Sequence, residues 1–356
     1  MKLRLKKLRD QVIVITGASS GIGLVTARMA SSQGARVVLA SRDEDALRHL
    51  EHELNSSGGK AFGVFTDVTH YEDVRRLADR ALNRFGRFNT WVNNAGGSVY
   101  GRILDVPVEE ERKLFELNYW GTVYGSRVAA QHLQHTGGAI VNLGSVASDS
   151  AIPLQASYCA SKHAVKAFTD VLRMELEKDN APVSVTLIKP TAIDTPFFKH
   201  AKTYMDAQPV EPSPMYAPEL VAEAILHAAE EPVRDLIVGD MGLMQSVIGR
   251  YAPRVGDMYG KAMMFEGQKD ERQPQPGDNQ IFDRPAGNLR ERGGYDRIVF
   301  ERSPYTKAAM HPLLTSMLTI GAGLAIASAL SSSHRGDPDY EERRPADRVV
   351  PTRSDL

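Results

Sequence analysis

The chain has 356 residues, 42% of them hydrophobic and 24% charged, and a net charge of −1. This composition specifies a globular protein with a substantial core rather than a disordered chain, and the near-neutral balance gives no general attraction to nucleic acid or acidic membrane. The single cysteine, Cys159, excludes an intrachain disulfide and suits a reducing compartment, so a cytoplasmic protein is expected.

Met1 to Asp10 carries Lys2, Arg4, Lys6, Lys7 and Arg9, lacks the apolar core of a signal peptide, and reads as a short solvated arm. Gln11 to Thr16 is a continuous apolar run, the pattern of a strand buried on both faces. Gly17-Ala18-Ser19-Ser20-Gly21-Ile22-Gly23 follows, and then a helical pattern through Ala30. Strand, glycine turn and helix N-terminus together offer backbone N–H groups and a positive dipole end to a diphosphate. A plain tight turn has the same glycines. Ala35 to Ala40 is a second strand, ending in Ser41-Arg42 where an acidic residue would hold an NAD ribose. A small hydroxyl beside a guanidinium suits a 2′-phosphate instead; a surface arginine at a strand end is the alternative. Asp43, Glu44 and Asp45 form the acidic first turn of the next helix, or pair with Arg42.

Lys60 to Thr66 is a third strand, ending in Asp67-Val68, and Tyr71 to Phe85 an amphipathic helix. Phe88 to Val92 is a fourth strand, ending in Asn93-Asn94-Ala95-Gly96, where a parallel sheet places its ligands. Val106 to Gln134 reads as one helix with Asn118 in its middle, an unfavourable position that suggests a task. Ala139 to Gly144 is a fifth strand, ending at Ser145. Tyr158 and Lys162 lie four apart on the helix that runs to Lys178, so they share a face. A lysine charge beside a phenol favours phenolate and moves a tyrosine from its usual ~10 towards working pH, where it can act as acid and base. Cys159 points away from that face and reads as a buried helix residue. Val183 to Ile188 is a sixth strand ending at Pro190, Thr191 to Pro214 a loop with a short helix, Pro218 to Glu230 a helix, and Arg234 to Val238 a seventh strand. The alternation predicts an α/β fold with a doubly wound, parallel, seven-stranded, Rossmann-like sheet. The pairs His49/His52 and His132/His135 lack a third ligand and read as solvated helix faces, so no metal is expected.

Taken together, Thr16-Gly17-x-x-x-Gly21-x-Gly23, Asp67, Asn93-Asn94-Ala95-Gly96, Asn118, Ser145 and Tyr158-x-x-x-Lys162 resemble the short-chain dehydrogenase/reductase family, in order and spacing, over residues 8 to 240. The resemblance implies an NADP(H)-dependent oxidoreductase, with NAD the lesser alternative, interconverting an alcohol and a carbonyl. It implies that Gly17, Ser19, Ser20, Gly21, Ile22 and Gly23 admit the diphosphate, that Ser41 and Arg42 select the 2′-phosphate, and that Asp67 and Val68 meet the adenine. Asn93, Asn94, Ala95 and Gly96 would lie along the ribose, and Pro190, Ile193 and Thr195 beside the nicotinamide. Tyr158 would be the acid/base, Lys162 its tuner and ribose ligand, Ser145 the oxyanion donor, and Asn118 the holder of a relay water. A catalytically idle sensor or scaffold is the alternative in another class. The family's Pro-Gly after the sixth strand is Pro190-Thr191 here, which puts that loop's geometry in question, and Ser20 stands where NADP-preferring members often carry a basic residue. Family members often form dimers or tetramers, so a homo-oligomer is expected.

The substrate would sit among residues 97–103, 147–155 and 197–216, where Tyr100, Ile152, Leu154, Phe197, Phe198 and Met205 suit an apolar small molecule. Residues 1–266 form the expected catalytic domain. Gly242 to Phe265 has helical spacing broken at Pro253, and 267–310 reads as a polar linker of low order. Leu313 to Leu330 has no charged residue, so 311–333 is expected to be an apolar helix, either a membrane anchor or a helix packed on protein. The charged stretch 334–356 reads as a disordered tail.

Overall fold

The computed structural model describes residues 3–210, 213–270 and 289–311. Contacts divide the chain into Met1–Met310 and His311–Leu356, and every described residue except His311 lies in the first unit. Seven parallel strands form its sheet: β1 (Val12–Thr16), β2 (Arg36–Ser41), β3 (Lys60–Phe65), β4 (Thr90–Asn93), β5 (Gly138–Leu143), β6 (Val183–Pro190) and β7 (Asp235–Val238). Their spatial order is β7-β6-β5-β4-β1-β2-β3. Ile13 pairs with Val37 on one side and Thr90 on the other.

These segments are strands because both faces are covered, so β-branched runs can be buried without alternation. All of β1 and all of β6 are buried. Ile13 and Ile15 belong to one apolar cluster, with Leu24, Leu50 and Val221. Val12 and Val14 belong to the opposite one, with Leu77, Trp91 and Leu133. The first face is packed by α1 (Gly21–Ser32), α2 (Glu44–Ser56) and α8 (Pro218–Glu230), the second by α3 (Tyr71–Phe85), α5 (Gly121–Thr136) and α6 (Ala156–Lys178). The strand order reverses between β1 and β4, which opens a crevice beyond their carboxyl ends.

Several local expectations are corrected. The helix expected over Val106 to Gln134 is α4 (Val108–Phe115) and α5, joined by a π-helical turn at Glu116–Trp120 that carries Asn118. The basic N-terminal arm is not simply solvated. Leu8 is buried, its N–H donates to Glu230 Oε1 at 2.8 Å, and Gln11 Nε2 donates to the carbonyls of Lys6 and Ala229, both at 2.7 Å. The loop after β6 includes the short α7 (Phe197–His200); Asp240–Tyr251 (α9) and Pro253–Tyr259 (α10) follow β7 and break at Pro253 as the spacing predicts.

Residues 289–310 differ most from expectation. Val299–Phe300 pairs in parallel with Met215–Tyr216, and the helix Pro304–Met310 buries Thr306 and Met310. Thr306 Oγ1 accepts the Gly239 N–H at 3.0 Å, and Leu289 packs against the first apolar cluster. The polar composition of this segment serves ion pairs and backbone hydrogen bonds to the domain. The apolar stretch at 313–330 and the tail at 334–356 lie outside the described residues. Among those described, no helix is long and apolar enough to cross a membrane.

Beneath the crevice lies a buried polar network. Asn93 Nδ2 donates to Asn142 Oδ1 at 2.8 Å and to Ser126 Oγ at 3.0 Å, its Oδ1 accepts from Trp91 Nε1 at 2.8 Å, and Asn142 Nδ2 donates to Thr169 Oγ1 at 2.9 Å. Asn142→Ala strands partners on β4 and α6, so it should lower the unfolding free energy by about 2–4 kcal/mol, read from urea denaturation.

Candidate active site

A cavity of about 290 Å³ occupies the crevice at the carboxyl ends of the strands. At its β1 edge, Thr16 Oγ1 accepts the N–H groups of Asn94 (3.0 Å) and Ala95 (3.1 Å), and Asn94 Nδ2 donates to the carbonyls of Thr16 (2.9 Å) and Gly17 (3.2 Å). The turn after β1 is thereby pinned to the turn after β4. Gly17, Ser19, Ser20, Gly21 and Ile22 line the cavity, with Asn94, Ala95 and Gly96 opposite. Gly23 does not line it. A Cβ there would lie 2.1 Å from the Gly17 carbonyl oxygen, so this glycine lets α1 pack onto the turn. Gly21 has φ +50° and would bring a Cβ to 3.0 Å from Thr195 Cβ.

Ser41, Arg42, Thr66 and Val68 line the β2–β3 end, where Ser19 and Ser41 share a hydroxyl hydrogen bond of 2.8 Å. Asp43 turns into α2 and caps it, Oδ1 accepting the Ala46 N–H at 2.9 Å, and Asp45 pairs with Arg48. Asp67 is not brought to the cavity. Its Oδ1 accepts from Thr69 N–H (3.0 Å) and Oγ1 (2.7 Å), holding the turn that presents Thr66 and Val68. Asn93, expected along the ribose, faces the core network instead, because side chains alternate along β4.

At the other end Ser145, Tyr158 and Lys162 line one wall. Ser145 Oγ accepts the Ala147 N–H at 3.1 Å, which leaves its hydroxyl proton to donate elsewhere. Lys162 Nζ is buried, donates to the Leu143 carbonyl at 2.8 Å and lies 5.9 Å from the Tyr158 ring centroid. Burial pushes the Lys162 ammonium down to about 8. Asn118 sits behind the wall. Its Nδ2 donates to the Gly97 carbonyl and Ser161 Oγ, both at 3.0 Å, and its Oδ1 accepts the Gly97 N–H at 2.9 Å. Cys159 is buried in the helix and its thiol is pushed up to about 11 by burial, which leaves it a poor nucleophile.

Pro190, Thr191, Ile193 and Thr195 line the wall after β6. Thr191 is accommodated across the strand ends: a Cβ on Gly239, which has φ +104°, would fall 2.3 Å from Thr191 Cγ2. A glycine at 239 thus makes the room that a threonine at 191 takes. Of the expected substrate residues, Ile152, Phe197 and Phe198 line the cavity, whereas Leu154 does not, and Tyr100 and Met205, outside the lining, pack with Phe197 and Phe198 in a small apolar cluster. Gln155 and His200, inside the expected substrate ranges, line the cavity too, whereas sequence reasoning missed Gln268, which lies 2.6 Å from Gln155 in the lining. Gln268 carries no sequence signal, since it lies at the start of a polar stretch. His132, expected on a solvated face, packs at 4.4 Å against Phe88. Among the described residues no cluster could hold a metal ion.

The sheet order, the glycine turn at its reversal point and the cavity define a Rossmann-like architecture suited to a dinucleotide. The chain belongs to the short-chain dehydrogenase/reductase family: residues 11–205 match the family described as short chain dehydrogenase. It is 47% identical over 324 residues to the uncharacterized oxidoreductase YxnA of Bacillus subtilis, covering 90% of this chain and 91% of the relative. It is 34% identical to dehydrogenase/reductase SDR family member 7B of Xenopus tropicalis, over 66% of this chain and 79% of that one. A Burkholderia phymatum short chain dehydrogenase/reductase solved with NAD superposes with TM-score 0.62 at 27% identity, over 78% of this chain and 100% of that one. An alcohol dehydrogenase from Thermococcus sibiricus, complexed with 5-hydroxy-NADP, gives 0.57 at 28% identity, over 64% and 95%. The protein is an enzyme of the oxidoreductase class.

The buried Lys162 has a consequence for stability. Its folded-state value near 8 lies below the unfolded value near 10.5, so the folded state binds fewer protons between them. Wild type should therefore gain stability relative to Lys162→Met as pH rises from 8 to 10.5, read from urea midpoints without added cofactor; the difference should stay constant from pH 6 to 7.5.

Proposed function

We propose that the enzyme interconverts an alcohol and a carbonyl compound with NADP(H). The observation that carries this reading is the charge pattern of the cavity. Arg42 and Ser41 line one end and Lys162, Tyr158 and Ser145 the other, and no carboxylate is among the described lining residues. An anionic dinucleotide fits such a lining, and a guanidinium flanked by hydroxyls suits a 2′-phosphate. The two solved relatives were obtained with NAD and with an NADP derivative, so the preference rests on Ser19, Ser41 and Arg42. Gly17 to Ile22 would hold the diphosphate, Val68 the adenine side, and Ile193 and Thr195 the nicotinamide side.

When bound, the cofactor supplies hydride exchange with the substrate carbon. In reduction Tyr158 gives its phenolic proton to the substrate oxygen, and in oxidation its phenolate takes the proton back. Lys162 is charged at neutral pH and favours that phenolate. Ser145 donates to the substrate oxygen as negative charge develops there. Asn118 fixes the relative positions of the β4 turn and α6. Ile152, Phe197, Phe198 and Met264 line the remaining space and favour an apolar substrate. The outward faces of α5 and α6, with Trp120 just before α5 and Val171 and Met174 on α6 exposed, suit a homo-oligomer contact.

Tyr158→Phe should lower turnover by roughly 10²–10⁴-fold in an NADPH-oxidation assay over a carbonyl panel, with the NADPH dissociation constant within about twofold of wild type. Retained turnover would assign the proton transfer to another group. Arg42→Ala should weaken NADPH by about tenfold or more and leave NADH nearly unchanged, measured by nucleotide fluorescence; equal losses would remove the phosphate role.

A further inference from the structure

The segment Arg290–Tyr295 crosses between two parts of the cavity wall that are far apart in sequence. One is the glycine turn, where the Arg290 carbonyl accepts the Gly21 N–H at 2.9 Å. The first N–H groups of a helix have no partner within it, and Arg290 occupies one of them on α1. The other is the loop after β6. Gly293 N–H donates to the buried Asp194 Oδ1 at 3.0 Å, and Tyr295 Oη donates to the Thr195 carbonyl at 3.0 Å. Gly21 and Thr195 both line the cavity and nearly touch.

Ion pairs fasten the same segment to the helices. Arg28 of α1 bonds Glu53 of α2 and Glu291, each at 2.7 Å, and those two carboxylates hold its guanidinium well above its usual range. Arg292 pairs with Glu219 of α8 at 2.9 Å and with Glu301 at 3.1 Å. Tyr295 also ends a run of edge-to-face rings: Tyr295 to Phe198 at 5.9 Å, Phe198 to Phe197 at 5.2 Å and Phe197 to Tyr158 at 5.8 Å. Phe197 and Phe198 are the aromatic wall of the cavity, so Tyr295 connects both to that wall and to the backbone of Thr195.

We propose that Arg290–Tyr295 clamps the dinucleotide, tying the glycine turn to the Asp194–Phe198 loop, and that Tyr295 is the positioning residue that sets this loop against the cofactor and Tyr158. The ligand class is a dinucleotide diphosphate, and the inference rests on the cofactor reading above. The segment lies outside residues 11–205, the stretch matched by the family.

Two variants separate the contacts. Tyr295→Phe keeps the ring and loses the bond to Thr195; Tyr295→Ala loses both. The full-length protein is loaded with NADPH and displaced by excess NADP in a stopped-flow fluorometer. The clamp predicts off-rates faster by roughly two- to fivefold in Tyr295→Phe and roughly tenfold or more in Tyr295→Ala, the worth of one hydrogen bond and of that bond plus an aromatic contact. Amide exchange at 193–199 should rise in the same order while exchange across β1, β4 and β5 stays as in wild type. Wild-type off-rates in both variants overturn the proposal, as does an exchange increase spread across the sheet, which would mark a purely structural role. If wild type binds neither NADPH nor NADH, the cofactor reading fails, and the loop-positioning role of Tyr295 is decided by the exchange at 193–199 alone: no increase there overturns it.

Discussion

The site depends on one buried side-chain amide. Asn118 is fully buried, and an amide in that position must satisfy both donors and its acceptor or incur the cost of lost hydration. It does so by grasping Gly97 through both N–H and carbonyl and by donating to Ser161, whose hydroxyl in turn donates to the Tyr158 carbonyl at 2.7 Å. The β4 turn, the α4–α5 joint and the first turns of α6 are therefore held in one frame. The π-helical turn at Glu116–Trp120 is the local deformation that accompanies this placement, and such single-turn insertions concentrate at functional positions. Gly96 completes the arrangement: a Cβ there would meet Asn118 Oδ1 at 3.1 Å and Lys162 Nζ at 3.7 Å.

That frame explains how a lysine is kept buried so close to the phenol. A buried ammonium is costly, and the protein offers Lys162 the Leu143 carbonyl at 2.8 Å. Its proton is loosened, since burial brings it to about 8, but it remains charged at neutral pH. Asp149, just beyond Ser145, stiffens the neighbouring turn by pairing with Lys166 and, at 2.7 Å, with Lys189. Burial raises the Asp149 carboxyl, yet the two lysines outweigh it and hold the group below its usual range. Ser145 and Lys162 are thus both placed by interactions that reach into the sheet.

The sheet, and the position of Ser145, Tyr158 and Lys162 beside one cavity, were legible because their signals are local. A strand buried on both faces is a run of apolar residues wherever it occurs, and Tyr158 and Lys162 declare their common face by spacing alone. Errors gathered where direction or distant partners decide. Asn93 and Asn94 are chemically identical neighbours at a strand end, and only the pleat says which of them faces the core network and which the cavity. Asp67 has the right identity but spends its carboxylate on Thr69. The compensation of Thr191 by Gly239 links residues that no period relates. The segment 289–310 was unreadable for the same reason: Arg28–Glu291 and Tyr295–Thr195 join residues more than 90 positions apart, and their polar, glycine-containing composition mimics a linker.

The two lips of the cavity are consequently built on different principles. The lip formed by β1, β4 and α6 is set by buried hydrogen bonds within the sheet framework. The lip at Thr191–His200 is tied down at its start, where the Thr191 N–H donates to the Val238 carbonyl at 3.1 Å, the Asp194 N–H donates to the Tyr216 carbonyl at 2.9 Å and the Tyr216 N–H donates to the Ala192 carbonyl at 2.9 Å. It rests on a small cluster containing Tyr100, Phe198 and Met215, against which Tyr295 and Val299 pack, and on the bonds that Gly293 and Tyr295 supply. The part after Asp194 leans on those contacts, so changes in residues 289–300 can alter its position without removing the hydrogen bond that holds Lys162. The residues proposed for proton transfer therefore lie inside the stretch matched by the family, whereas the loop facing them leans on a segment outside it. Among relatives that share this sheet, differences in substrate range should follow differences in that segment more closely than differences in the glycine turn.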